Sequence, residues 1–248
     1  MHSEKSLRSL LSSQTLLSLC FFTALLANSV ASDPERAQHY EAVRPSADGI
    51  GRVYLGREIS QVMGHRGASW LERPQRVQEE RTDLLMESLA LDPNDVVADL
   101  GAGTGYFSFP MAMEVPNGSV LAVDIQPEML AIIERRVVKF GVPNVFPVLA
   151  SECDPALDEN SVDVVLLVDA YHEFSCPREV MASVATALKP DGRVMLVEYR
   201  GEDPDIGIKP LHTMALEQAT TEMEAVGLSL VSVSDVLPKQ HLMTFQKK

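Results

Sequence analysis

The sequence is short of cysteine, of positive charge and of long apolar runs, and each shortage excludes a class of protein. Three cysteines among 248 residues are too few for arsenic or thiol chemistry. Lys and Arg number 21 against 35 Asp and Glu, which gives a net charge of −14, and no compact basic run offsets this excess. Because phosphate contacts depend on Lys and Arg, we expect no nucleic acid partner. The 46% of hydrophobic residues suits one α/β domain with an appendage.

The N-terminus carries an apolar run that is too short to span a membrane comfortably. It extends from Leu16 to Ala27, whereas a membrane-spanning helix needs about 20 apolar residues. Lys5 and Arg8 precede the run, and Ser29-Val30-Ala31 offers small residues for cleavage after the last of them. We therefore expect a signal peptide at residues 1–31 and an exported, periplasmic protein. An uncleaved anchor, or loose membrane association through the N-terminus, is the alternative.

A glycine-rich turn follows a short apolar run in the middle of the chain. The run Val96–Leu100 contains the acid Asp99, and glycines follow at every second position before an apolar pattern resumes. This pattern is typical of a strand, a tight turn and a helix. Glycines in such a turn let the backbone approach a nucleotide-like ligand closely at a helix N-terminus. The three glycines are Gly101, Gly103 and Gly105, with Ala102 after the first of them.

The chemistry of the turn favours one ligand over another. A dinucleotide fingerprint needs a third glycine at position 106, where Tyr106 stands instead. It would also place a pyrophosphate beside Asp99, an unfavourable meeting of like charges. S-adenosylmethionine (SAM) carries a sulfonium and an ammonium and no phosphate, so an acid at the strand end suits it. The turn therefore predicts SAM as the cofactor.

An acidic residue followed by G-x-G-x-G resembles the first motif of the class I SAM-dependent methyltransferases. The likeness covers roughly Leu91 to Lys248, and it implies a SAM-binding domain at 91–248 preceded by an N-terminal arm and lid at 32–90. The implied fold is an α/β, Rossmann-like, doubly wound sheet of seven strands in the order 3-2-1-4-5-7-6, with strand 7 antiparallel. The methionine part of SAM is then expected to be held by Asp99, Gly101, Ala102, Gly103 and Gly105.

Two further acidic positions match the ribose and the adenine of this cofactor. Asp124 ends an apolar strand 25 residues after the first acid, close to the separation of about 20 at which nucleotide folds place the acid that binds ribose hydroxyls. Ile125 follows it and is included in the cofactor site. The resemblance places Glu152 and Cys153, after the third strand, near the adenine. The alternatives are a helix-capping acid and a solvent-facing acidic loop.

The fourth predicted strand leads into the segment that we expect to face the methyl acceptor. Asp169 is assigned to the cofactor, whereas Tyr171, His172 and Glu173 are the catalytic candidates. The segment lacks the Asp/Asn-Pro-Pro-aromatic signature of relatives that methylate nucleic acids. It looks more like the His-bearing loop of small-molecule methyltransferases. His172 is the first choice of base and Glu173 the second; the alternative is that His172 only bonds a neighbouring loop.

The implied topology brings further histidines to the same edge. Ligands bind beyond the carboxyl ends of parallel strands, so His172, His212 and His241 are expected to converge there. Strand spacing alone puts His172 and His241 about 10 Å apart. Imidazole and carboxylate also suit a metal, but the sequence has no H-x-x-x-H or Cys/His spacing, and we expect no metal site.

The chain before the glycine loop is less informative. Residues 32–60 predict an irregular surface arm. Met63–Arg73 is interpreted either as a loop anchored by Trp70 or as a lid with His65, Arg66 and Trp70 facing inward. A helix from Pro74 is predicted to bury Val77 and Leu85 and to expose a charge run that includes Glu79, Glu80 and Arg81. Cys153 and Cys176 follow non-neighbouring strands, so we expect two free thiols.

Taken together, the sequence predicts a SAM-dependent methyltransferase that transfers a methyl group to a small-molecule acceptor. A non-catalytic SAM-binding or sensing domain is the first alternative. A nicotinamide-dependent oxidoreductase is the second, disfavoured by Tyr106 and Asp99.

Overall fold

The computed structural model describes residues 39–248. The expected signal peptide and its cleavage site lie outside the described residues. Within residues 39–248, none of the helices has the length and apolar character needed to cross a membrane.

The described chain forms a small antiparallel sheet and a large sheet covered by helices. The small sheet contains β1 (Tyr40–Ala42), β2 (Gly49–Tyr54) and β3 (Arg57–Ser60). The strands of the large sheet are β4 (Val96–Leu100), β5 (Ser119–Asp124), β6 (Val145–Leu149), β7 (Val162–Val168), β8 (Leu188–Tyr199), β9 (Leu228–Ser234) and β10 (Gln240–Lys247). The helices are α1 (Ala68–Leu71), α2 (Arg76–Glu80), α3 (Thr82–Ser88), α4 (Ser108–Glu114), α5 (Pro127–Phe140), α6 (Pro177–Ala187) and α7 (Leu216–Glu224).

The large sheet runs in the order β6-β5-β4-β7-β8-β10-β9. The first five strands of this order, from β6 through β5, β4 and β7 to β8, are parallel. Strand β10 is antiparallel to both β8 and β9. Its strand numbers start at β4 because the small sheet comes first; counted from β4, the order is 3-2-1-4-5-7-6. The parallel strands therefore direct their carboxyl ends to one edge of the sheet, where ligands bind in such folds.

Helices cover both faces of the large sheet, as expected for a doubly wound α/β fold. Helices α3, α4 and α5 pack on one face, and α6 and α7 pack on the other. The central strands read as continuous Val- and Leu-rich runs because alternate side chains enter opposite cores. In β7, for example, Val165 and Leu167 join one core, whereas Val164 and Leu166 join the other.

Residues 40–60 form the small sheet, so the expectation of an irregular arm is wrong for this stretch. Tyr54 and Ile59 are buried. The turn between β2 and β3 places Leu55 and Gly56 at φ of 47° and 90°, the left-handed region that two-residue hairpin turns require. Leu55 is an unusual residue for such a turn. The sequence therefore lacks the turn residues that would predict this hairpin.

The predicted helix from Pro74 is two helices, α2 and α3. Arg81 lies between them with a φ of 53°, which breaks the helical period. As a result Val77 is exposed, whereas Arg76 and Glu80 are buried. The prediction that this charge run forms a solvated face is therefore wrong for Glu80.

We predict that Glu222→Ala destabilises the fold strongly. The Glu222 carboxylate is fully buried and accepts two hydrogen bonds from Arg57, at 2.7 and 2.8 Å, and one from Tyr171 Oη at 2.7 Å. Its removal leaves the Arg57 charge buried without a counterion, which costs about 3–5 kcal/mol. Denaturant unfolding measures this loss. Glu224→Ala, at the exposed end of the same helix, is the control, and an equal stability of the two variants would contradict the assignment.

Candidate active site

A cavity of about 760 Å³ lies at the carboxyl edge of the parallel strands. This volume falls within the range of about 300–1,000 Å³ of small-molecule sites. The glycine loop, the ends of β5 and β7, and residues between Val62 and Arg76 contribute to its wall.

The first two glycines of the loop line the cavity, and their conformation requires glycine. Gly101 and Gly103 have φ of 80° and 55°. A Cβ atom on Gly101 would lie 2.7 Å from the Cβ atom of Ala170. Only glycine therefore fits at position 101, and its bare backbone forms part of the cavity wall. Ala102 and Gly105, which the sequence assigned to the cofactor, are not among the residues that line this cavity.

Asp99 lies behind the glycine loop rather than in the cavity wall. Its buried carboxylate accepts a hydrogen bond of 2.5 Å from Ser108 Oγ, at the first residue of α4. Burial raises the pKa of Asp99 to about 6, and the nearby Asp124 charge adds to this effect. The side chain ties the end of β4 to the start of α4 and is not among the residues that line the cavity. Its predicted contact with the methionine part of SAM stays a prediction.

Asp124 lies in the cavity wall at the end of β5, as predicted. Its two carboxylate oxygens accept hydrogen bonds of 2.8 Å from the backbone N–H groups of Gly103 and Gln126. Burial raises the pKa of Asp124 in spite of these bonds. Each oxygen keeps a second lone pair, so the carboxylate can still accept from two vicinal hydroxyls. Ile125 and Glu152 line the same cavity.

Cys153 and Cys176 form a disulfide, so the expectation of two free thiols is wrong. Their Cα atoms are 5.0 Å apart. Strands β6 and β7 are not neighbours in the sheet, but the loops that follow them meet at its edge, which strand order alone does not reveal. Cys153 is absent from the lining of the cavity. The disulfide therefore joins the loop that follows β6 to the loop that follows β7.

Asp169 lines the cavity and has an unsatisfied carboxyl oxygen. Its Oδ2 atom accepts a hydrogen bond of 2.8 Å from Gln240 Nε2, whereas Oδ1 is buried without a hydrogen-bond partner. Burial raises the pKa of Asp169 to about 8, and the charges of Glu80 and Glu198 add to this effect. A buried polar atom of this kind is costly unless a ligand satisfies it. An ammonium group is a fitting partner.

Charged residues of α2 and the preceding turn also reach the cavity, which the sequence analysis missed. Glu80 accepts hydrogen bonds from Arg76 Nε at 2.9 Å, from Tyr199 Oη at 2.9 Å, and from Arg73. All four side chains line the cavity. The Arg73 guanidinium also lies over the Trp70 ring, 3.9 Å from its centroid. Charges four residues apart on a helix usually indicate a solvated face, so the sequence gives no signal for this buried group.

His172, Glu173 and His212 come together at the cavity wall. His172 Nδ1 lies 2.6 Å from Glu198 Oε2, and His172 Nε2 lies 3.2 Å from His212 Nδ1. Glu173 Oε1 is 3.8 Å from His172 Nε2 and 3.7 Å from His212 Nδ1. Burial alone would lower the pKa of His172, but the carboxylates of Glu198 and Glu173 outweigh it and raise the pKa.

Two of the predicted catalytic or edge residues lie elsewhere. Tyr171 is fully buried, bonded to Glu222, and does not line the cavity. His241 points away and bonds Glu202 Oε2 at 2.9 Å. Successive side chains of a strand face opposite ways, and Gln240, beside His241, is the one that bonds Asp169 of the cavity wall.

The segment before α1 connects two parts of the cavity wall through Met63. The Met63 N–H group donates to Glu173 Oε2 at 3.0 Å, and the Met63 carbonyl accepts from Gln126 Nε2 at 3.0 Å. Trp70 lines the cavity, whereas His65 and Arg66 do not. Of the three side chains that the lid interpretation turns inward, Trp70 alone has this position, and the lid itself stays a prediction.

Comparison with known proteins agrees with this geometry. Residues 97–192 match the family Methyltransf_25, described as a methyltransferase domain. A methyltransferase-like protein of Schizosaccharomyces pombe is 33% identical over 122 residues, which cover 49% of this chain and 45% of that protein. The methyltransferase YcgJ of Bacillus subtilis is 36% identical over 110 residues, covering 44% of this chain and 42% of that protein. The chain thus spans less than half the length of these relatives.

Solved structures show the same architecture. A SAM-dependent methyltransferase from Aquifex aeolicus has a TM-score of 0.69 at 22% identity, covering 74% of this chain and 98% of that one. The YcgJ structure has a TM-score of 0.56 at 18% identity, covering 67% and 97%. The fold is that of the SAM-dependent methyltransferases. Residues 97–192 match a methyltransferase domain, and the cofactor of this class is SAM.

We predict that Asp169→Asn stabilises the protein without cofactor but weakens SAM binding. Because the pKa of Asp169 is about 8 in the folded chain and about 4 in the unfolded chain, the folded state holds the extra proton between these values. Stability therefore falls as the pH rises from about 4 to about 8. Asn removes this decline but places an amide donor where we expect the ammonium of SAM to bind.

Thermal unfolding at about pH 5 and about pH 8, together with calorimetric titration with SAM, measures both effects. The exposed Asp191→Asn serves as the control. The assignment would be contradicted if Asp169→Asn differed in stability from the unaltered protein by the same amount at both pH values. Unchanged SAM affinity of this variant would also contradict it.

Proposed function

We propose that the protein transfers the methyl group of SAM to a small-molecule acceptor in this cavity. The observation that carries the proposal is that two groups of residues share one cavity. The first group is the glycine loop with two carboxylates at strand ends, and the second is a histidine that a buried glutamate holds in place. The cavity wall combines Gly101, Asp124 and Asp169 at one part and His172 at another. The acidic surface supports an acceptor other than nucleic acid.

The residues present fit the parts of SAM. Gly101 and Gly103 present bare backbone to the cavity, which suits a close approach of the methionine part, and the unpaired Oδ1 of Asp169 suits its ammonium. Asp124 is placed to accept from the ribose hydroxyls. Ile125 offers apolar contact for the adenine. Glu152, with Ser175 Oγ 3.2 Å from its Oε2 atom, is the proposed partner of the adenine amino group.

Arg73 and Arg76 supply positive charge at the same part of the wall. Both guanidinium groups line the cavity and share the Glu80 carboxylate. A guanidinium suits a carboxylate ligand. These two side chains are therefore the proposed partners of the methionine carboxylate.

Bound SAM supplies an electrophilic methyl group on its sulfonium. The protein must then align the acceptor and take up its proton. Glu198 fixes the His172 ring through Nδ1, so Nε2, which lies 3.2 Å from His212 Nδ1 at the cavity wall, is the proposed proton acceptor. Glu173 Oε1 lies next to this nitrogen and is the second candidate. Tyr171 has no part in this arrangement.

Calorimetric titration with SAM, its demethylated product and NAD tests the cofactor. We expect the first two to bind and NAD not to bind. Asp124→Asn is expected to weaken SAM binding by about tenfold or more, because a neutral amide accepts less well from two hydroxyls. Binding of NAD instead would favour an oxidoreductase.

An acceptor screen that detects the demethylated product then tests catalysis, with His172→Ala expected to lower turnover and to leave SAM affinity unchanged. SAM binding without turnover on any acceptor would favour a sensing domain.

We also propose that the chain is exported through a signal peptide at residues 1–31. The basic residues, the apolar run and the small residues of this segment support it. The Cys153–Cys176 disulfide suits an oxidising compartment. Intact-mass measurement of the protein from its native host, after cell fractionation, tests the proposal. We expect a mature chain beginning at Ser32 in the exported fraction, and a full-length chain in the cytosolic fraction would contradict it.

A further inference from the structure

The side chains of His172, Glu173 and His212 form a triangle of possible metal ligands. One atom of each lies within 4.8 Å of the others. The edges of the triangle are 3.2 Å between the two imidazole nitrogens, and 3.8 and 3.7 Å from these nitrogens to Glu173 Oε1. A tetrahedral ion with bonds of about 2.0–2.2 Å separates its ligands by about 3.3–3.6 Å. The observed spacing is therefore close to that of a metal site.

Two of the three ligands are oriented from outside the triangle. Glu198 Oε2 receives the His172 Nδ1–H group at 2.6 Å, so the lone pair of Nε2 faces the triangle. The Met63 N–H group donates to Glu173 Oε2 at 3.0 Å, so Oε1 remains for the triangle. A carboxylate behind a ligating histidine, as Glu198 stands here, is the usual support of a metal site. If His172 and His212 only shared a hydrogen bond, Glu173 would not need to be oriented toward them as well.

We propose that His172 Nε2, His212 Nδ1 and Glu173 Oε1 bind a divalent transition-metal ion of the zinc type. Two neutral imidazoles and one carboxylate are a ligand set that suits zinc. His212 then carries its proton on Nε2. All three side chains line the cavity, so the fourth position of the tetrahedron opens to it. Catalytic zinc sites share this arrangement of three protein ligands and one open position.

The open position defines the class of acceptor, an inference that rests on the proposed methyl transfer. An alcohol or phenol hydroxyl at this position loses its proton to solvent more easily beside the ion. Its oxygen electron pair then forms the bond to the methyl carbon. The carbon–sulfur bond breaks with its electron pair passing to sulfur, which leaves the demethylated cofactor and a methyl ether. In this form His172 acts as a ligand, and the ion replaces it in activating the acceptor.

Metal binding to the chelator-treated protein tests the site without any assay of activity. Co²⁺ is the spectroscopic probe, because a tetrahedral site gives it strong visible absorption, and Zn²⁺ affinity is measured by calorimetry. We expect one ion per chain, with Co²⁺ displaced by Zn²⁺. His212→Ala and Glu173→Gln should abolish binding of both ions. Glu198→Gln should weaken Zn²⁺ binding by about 10–100-fold, as for other supporting carboxylates.

His241→Ala is the matched control, since His241 belongs to the same edge but bonds Glu202 instead. Its Zn²⁺ affinity should equal that of the unaltered protein. Absence of a stoichiometric ion, or equal binding by His212→Ala, would overturn the proposal and leave a hydrogen bond between the two histidines. SAM titration of the same samples separates the hypotheses: SAM binding without metal refutes only the metal site, and metal binding without SAM refutes only the methyltransferase function.

Discussion

The cavity depends on carboxylates that the fold buries at one edge of the sheet, where each must find a compensating group. Glu80 is balanced by Arg73 and Arg76, and Glu198 by the His172 ring and its backbone N–H group. Asp169 receives only Gln240 and keeps one oxygen without a partner. An isolated buried acid of this kind avoids the cost by holding a proton. A cationic ligand would complete the balance, which explains why a SAM-type ammonium suits this position better than a phosphate.

The small sheet connects the fold to the chemistry. The carbonyl of His172 accepts hydrogen bonds from Arg57 at 3.1 Å and from Ser60 at 3.2 Å, both on β3. Arg57 is in turn paired with the buried Glu222 of α7, which also bonds Tyr171. The turn that carries His172 is therefore fixed from two sides. Tyr171, expected to act in catalysis, instead belongs to this support.

The sequence predicts the large sheet well because its signals are local. Continuous apolar runs mark the central strands, and the glycine loop and the acid at the end of β5 mark the cofactor edge. The position of His172 also follows, because a residue after the fourth strand must reach that edge. Predicting these features requires only the periodicity of the apolar residues and the position at which a strand ends. Asp124, Asp169, His172 and Glu173 all line the cavity.

The features that the sequence does not predict depend on tertiary contacts. The burial of Arg76 and Glu80 follows from the left-handed Arg81, which no propensity favours. The Cys153–Cys176 disulfide and the meeting of His212 with His172 join residues of different loops. Loop paths across a sheet edge leave no periodic signal. The same reasoning explains the wrong placement of His241, since strand order gives the edge but not the direction of a side chain.

His172 has one nitrogen available to the cavity, and this limits the chemistry of the site. As a proton acceptor, Nε2 must be free of an ion; as a ligand, it cannot take a proton. In both cases Nδ1 stays bonded to Glu198, so the ring keeps the same orientation. Glu198 is fully buried and holds both the ring and the backbone of His172. The buried carboxylate on β8, rather than the histidine itself, is therefore the common determinant of either mechanism.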